Sequence, residues 1–123
     1  MTDRYGDVPV LDQAVVDELR ESVGGDDEFV RDLVATYVEE VGPHLGAMAD
    51  AAASGDAGAI VRPAHTLKST SASIGAMRLS AICRDLEAGG REGRSDGLHE
   101  AVDSARSAWT ETLKALRGAG LAA

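Results

Sequence analysis

Residues 64–76 read AHTLKSTSASIGA, and the fold and the chemistry are both legible from this stretch. Ile60, Ala64, Leu67, Ser71 and Ile74 recur at intervals of four, three, four and three, which is the spacing of a helix with one buried face. On that helix Arg62, His65, Ser69 and Ala72 fall one step round the cylinder, with Lys68 beside them. His65 is therefore expected at the edge of the buried face, its imidazole reaching solvent and Lys68 one turn on. No acid stands near it in the chain, so a metal site or a cation-stabilising pair is a poor explanation for it.

Working outward, Asp56 caps this helix, Pro63 is expected as an irregularity past its first turn, and Gly75 permits the turn that ends it. Leu79, Ile82, Cys83 and Leu86 begin a further helix. The segment 88–97, AGGREGRSDG, is expected as a glycine-rich charged loop. Leu98, Val102, Ala105, Trp109, Leu113 and Leu116 then mark the last helix. Upstream, acids at 26–28 favour a helix start, and Val30, Val34, Val38, Val41, Leu45, Met48 and Ala52 form one stripe, widened by Phe29, Leu33 and Tyr37. Gly42-Pro43 is expected to kink or break that helix before Ser54-Gly55 ends it. Asp12, with Leu11 and Val16 as a hydrophobic staple, opens a first helix that stops at Gly24-Gly25. No strand-length alternation and no internal repeat occurs. The expected fold is all-α: an up-down-up-down four-helix bundle with an additional short N-terminal helix. It forms a single domain over 1–123, with an N-terminal tail (1–10), a capping helix (11–24), the bundle (26–117) and a C-terminal tail (118–123).

Composition excludes several classes. The net charge of −9 argues against nucleic acid, whose phosphates bind basic faces. No apolar run is long enough for a membrane span, and the N-terminus has no apolar signal core. The lone cysteine, Cys83, cannot form an internal disulfide and fits a reducing compartment, so a cytoplasmic location is expected. The Glu-x-x-His pairs of di-metal bundles, nucleophile elbows and Walker loops are all missing, so no metal ligands and no cofactor are expected in this chain.

The charge distribution is uneven. Residues 1–60 hold 14 acids and 3 bases, and residues 61–123 hold 7 acids and 9 bases. Across the 28 residues from Ala57 to Arg84 there is no carboxylate, while Arg62, Lys68, Arg78 and Arg84 are present. An acidic chain that keeps one hairpin free of negative charge around a histidine leaves room for a dianion such as a phosphoryl group.

AHTLKSTSASIGA, continuing MRLSAICRDLE, resembles the signature of histidine-containing phosphotransfer (Hpt) domains of bacterial phosphorelays. The resemblance runs from about Val8 to Leu116 and includes the long proline-interrupted helix and the Ser54-Gly55-Asp56 turn. It implies that His65 is the phosphoacceptor, that Lys68 positions and neutralises the phosphoryl group, and that Gly75 makes the interhelical turn. Arg62, Ser69 and Ala72 would border the docking face. Family members usually carry glycine where this chain has Ser69, whose hydroxyl is available to a phosphoryl oxygen instead. The implied partners are response-regulator receiver domains, which would bring the divalent metal ion, and a hybrid histidine kinase. A free-standing monomer is expected.

The chemistry needs a neutral imidazole with one nitrogen free and the other held by a partner that fixes the tautomer. A hairpin turning near Gly75 places residue 65 opposite about residue 85, which makes Glu87 a candidate for orienting His65, although a plain surface carboxylate is the reading preferred for it. With no ATP-binding motif, the chain would be a phosphoryl carrier without kinase activity of its own. The rival is a helical module that docks receivers and transfers nothing.

Overall fold

The computed structural model describes residues 4–123. The expected N-terminal tail falls partly outside them, at residues 1–3. Five α-helices follow one another: α1 (Gln13–Ser22), α2 (Asp27–Ser54), α3 (Val61–Ile74), α4 (Met77–Arg91) and α5 (Leu98–Gly118). Helices α2 to α5 form the bundle, and α1 lies across α2 and α3. Side-chain caps start the first two helices: Asp12 accepts from the Ala14 N–H, and Asp26 from the Phe29 N–H.

The core runs the length of the bundle. Val30, Val34, Val41 and Met48 of α2 meet Ala64 and Leu67 of α3, Leu79 and Cys83 of α4, and Ala105 and Leu116 of α5, all buried. One polar link crosses it. The Tyr37 hydroxyl and Ser71 Oγ lie 2.8 Å apart, and the Tyr37 ring meets Trp109 edge-on at 5.6 Å. The stripe on α2 is narrower than its sequence suggests. Tyr37 is buried, but Phe29 and Leu33 are exposed, because near its N-terminus α2 turns only its Val30 and Val34 side to the core.

Four local expectations are corrected. Helix α2 does not break at Pro43. Pro43 and Glu39, the residue one turn before it, are both exposed, so the irregularity falls on the solvent side, while Val41 and Leu45 hold the opposite side in the core. Asp56 caps a 3-10 turn, Ala57–Ile60, and not α3 itself. Helix α3 begins only at Val61, so Pro63 sits in its first turn, where a missing N–H costs little. Finally, α4 runs through Ala88, Gly89 and Gly90 to Arg91, and the loop is confined to residues 92–97.

Gly90 explains that last difference. A Cβ there would lie 2.8 Å from the Ala57 carbonyl oxygen and 2.9 Å from Val61 Cγ2. The glycine lets the end of α4 lie directly on the 3-10 turn. At the other end of the hairpin Gly75 adopts φ +95°, a left-handed conformation that ends α3, and its carbonyl accepts from the Asp12 N–H at 2.8 Å. Residues 4–10 are tied down there too. Arg78 donates to the Val8 and Gly6 carbonyls and pairs with Glu111, and the Tyr5 hydroxyl donates to Asp85. At the C-terminus Leu121 is buried.

Replacing Gly90 by alanine sets two effects against each other. Helix propensity gains about 1 kcal/mol, whereas overpacking against a backbone oxygen costs about 1–3 kcal/mol. Gly90→Ala is expected to be net destabilising, lowering the urea midpoint, with α4 residues 87–91 showing the largest amide chemical-shift changes. A midpoint at or above wild type would mean that the two segments separate without cost.

Candidate functional site

Helices α3 and α4 are the most extensively packed pair in the molecule. Small residues on their facing sides, Ala64, Ser71, Ser80 and Cys83, make this possible. Ser80 Oγ donates to the Lys68 carbonyl at 2.8 Å and ties the two backbones together beside the histidine. This packing carries Glu87 up against the face of α3 that holds His65 and Lys68.

Glu87 is the centre of the site. Its carboxylate is nearly buried, with 8% of the side chain exposed, so it is not a surface carboxylate. Oε2 lies 2.9 Å from His65 Nδ1, and Oε1 lies 2.6 Å from Lys68 Nζ. Arg91, one turn on along α4, places Nη2 2.8 Å and Nε 3.3 Å from Oε2. The Lys68 and Arg91 hydrogen bonds pull the Glu87 pKa from its ordinary 4.5 down to about 2, against the upward push of burial and with a smaller downward pull from His65. Glu87 is thus ionised throughout the neutral range and acts only as an acceptor. The donor at His65 is then Nδ1–H, which fixes the tautomer. The imidazole itself stays open, with 55% of its side chain exposed.

The other sequence candidates lie around this cluster. Arg62 and Ser69 are exposed on α3, and Ala72 is half-buried two turns beyond His65. Gly75 is buried at the hairpin turn under α1, so its contribution is to the turn and not to the histidine. Arg91 was not anticipated, because Gly89-Gly90 reads as a helix terminator. The available signal was the spacing of Glu87 and Arg91, a helical i,i+4 ion pair. Among the described residues no three His, Cys, Asp or Glu side chains converge as a metal site. No helix there is long and apolar enough to cross a membrane.

The depressed Glu87 pKa links stability to pH. A carboxyl with a lower pKa folded than unfolded stabilises the fold fully above about pH 4.5 and loses that contribution as pH falls towards 2. The stability advantage of the wild type over Glu87→Gln is therefore expected to shrink between pH 5 and pH 2.5 in urea titrations. A gap that stayed constant over this range would show that Glu87 does not titrate as an ion-paired group.

Residues 32–119 match the family model of the Hpt domain; the match starts inside α2 and ends just past α5. No curated protein matches the chain in sequence. Among solved structures the chain is similar to the crystal structure of histidine-containing phosphotransfer protein B (HptB) from Pseudomonas aeruginosa PAO1. The two share 27% sequence identity and a TM-score of 0.77, over 86% of this chain and 90% of that one. With a helical bundle presenting one exposed histidine beside a lysine, and a family match over most of its length, the chain belongs to the Hpt domain family, the histidine phosphotransfer modules of phosphorelays.

Proposed function

We propose that His65 accepts a phosphoryl group from the phosphoaspartate of a receiver domain and passes it to the aspartate of another. The observation that carries this reading is the division of labour on one imidazole. Nδ1 is held at 2.9 Å by a buried carboxylate, and the rest of the ring is open to a partner. Nε2 is the nitrogen left for attack. The concavities beside Tyr5 and between α2 and α5 do not include His65, which suits a macromolecular donor docking on an open face better than a small substrate in a pocket.

The lone pair of Nε2 attacks phosphorus in line with the aspartyl oxygen. The N–P bond forms, the P–O bond breaks, and its electron pair leaves on the aspartate as a carboxylate. The ring carries a positive charge as this happens, and Glu87 stabilises it through Nδ1–H, as an ionised acid orients a histidine in hydrolytic triads. Lys68, one turn away, offsets charge on the phosphoryl oxygens. The reverse step onto a second receiver uses the same groups. The divalent ion of this chemistry belongs to the receiver, and this chain contributes no cofactor. Arg62, Ser69 and Ala72 border the face on which the receiver would seat. Receiver domains and a hybrid kinase that carries one are the partner classes this reading requires, meeting the chain in the cytoplasm.

His65→Gln keeps a neutral side chain beside Glu87 and is expected to abolish phosphoryl uptake while leaving the helical circular dichroism unchanged. Intact-protein mass after incubation with phosphorylated receivers reads this directly: a gain of one acid-labile phosphoryl group in the wild type, none in the variant. Receivers that bind without any mass gain would favour the docking-module reading instead. Lys68→Ala is expected to slow uptake by about tenfold, corresponding to roughly 1.4 kcal/mol of transition-state stabilisation. A wild-type rate in quenched-flow transfer would reduce Lys68 to a partner of Glu87 alone.

A further inference from the structure

Lys68 has two tasks in this scheme that pull it in different directions. At rest its ammonium lies 2.6 Å from Glu87 Oε1. During transfer it is needed by phosphoryl oxygens on the far side of the ring. A lysine ammonium is a compact charge on a flexible stem, and a dianion is the stronger attractor. As Lys68 turns outward, the nearly buried Glu87 loses a cation. A carboxylate that loses one of its cations is freer to swing to water, and that movement weakens its hold on Nδ1.

We propose that Arg91 is a positioning residue for phosphoryl transfer, holding Glu87 against His65 Nδ1 while Lys68 serves the phosphoryl group. The inference rests on the reading of His65 as phosphoacceptor. Three observations support it. Arg91 binds the same oxygen, Oε2, that takes the His65 hydrogen bond, and it does so with two nitrogens at 2.8 and 3.3 Å. Lys68 binds the other oxygen, so its departure leaves the Oε2 contacts in place. Arg91 is itself anchored, because the adjacent Gly90 packs onto the turn that leads into α3. The backbone that carries Arg91 is therefore held close to the helix that carries His65, and the 61% exposed Arg91 side chain reaches Glu87 from there. It acts on the ring through Glu87.

The test uses the full chain and phosphoramidate as a small-molecule phosphodonor, so that receiver docking does not enter. Uptake rates are followed by intact mass, and the His65 tautomer by ring 15N chemical shifts of the unphosphorylated protein. Arg91→Ala is expected to slow uptake about fivefold and to lower the Nδ1–H population, with Arg91→Lys restoring part of both. In a Glu87→Gln background, Arg91→Ala should change the rate by less than about 1.5-fold, because the group it positions is gone. Wild-type rate and tautomer in Arg91→Ala would overturn the proposal. So would equal slowing in both backgrounds, which would place Arg91 on the phosphoryl group itself. Uptake that survives His65→Gln would sink the phosphoacceptor reading, whereas wild-type uptake and tautomer without Arg91 sink only the positioning role. The tautomer measurement needs no phosphorylation and decides on positioning in either case.

Discussion

A carboxylate withdrawn from water must be compensated, and in this molecule that requirement falls on Glu87. Its partners come from two helices: His65 and Lys68 from α3, Arg91 from its own α4. Each is charged or able to become so, and together they outweigh the cost of burial and hold the carboxyl well below its ordinary range. The arrangement works only if α3 and α4 keep a close and constant separation. The structure of the hairpin can be understood as the means of keeping it.

Several contacts serve that separation at different heights. At the open end, Gly90 puts the last turn of α4 against the Ala57 carbonyl. Ser80 binds the Lys68 carbonyl further along the pair. At the turn, the left-handed Gly75 is covered by α1, and Arg78 gathers the carbonyls of residues 6 and 8 with its side chain. Helix α1 lies outside the family-matched span, yet the N–H of its N-cap residue, Asp12, is tied to this turn. The buried Tyr37–Ser71 hydrogen bond sets the rotation of α3 against α2, since a slip would leave both hydroxyls unpaired in the core. That rotation keeps the His65 face outward.

Much of this was legible in the sequence because it rests on helical period. The four-three spacing from Ile60 to Ile74 placed the buried stripe, and with it the exposure of His65. The hairpin turn at Gly75 pointed to Glu87 as a neighbour of His65, but periodicity could not supply the closeness of that contact. The acid-free stretch from Ala57 to Arg84 is real in the chain, but folding delivers a carboxylate to His65 from three residues beyond its end. The extent of burial at Glu87 depends on an interhelical distance that single-helix patterns do not encode. Arg91 was hidden for a different reason. Gly89-Gly90 has the composition of a loop, and only the close approach to Ala57 makes glycine the right residue inside a helix there. Pro63 misled in the same way, since its tolerance depends on the preceding turn being 3-10. Local propensity gave way to tertiary packing at each of these points.

The charge balance at the site also suits a carrier better than a trap. Lys68 and Arg91 exceed Glu87 by one positive charge, with His65 neutral. A phosphoryl group brings between one and two negative charges at neutral pH. Adding it moves the cluster from slightly positive to slightly negative, and neither state is strongly favoured over the other. Without Glu87, two unopposed cations would bind the phosphoryl group more tightly and resist its release to the next aspartate. Without both cations, the acidic character of the first half of the chain would oppose its arrival. Under the proposed function the buried carboxylate does two things at once: it holds the His65 ring through Nδ1, and it weakens the cationic hold on a phosphoryl group at His65. Transfer in both directions requires that weakening, because a phosphorelay intermediate is useful only while its bond to phosphorus can still be broken by the next partner.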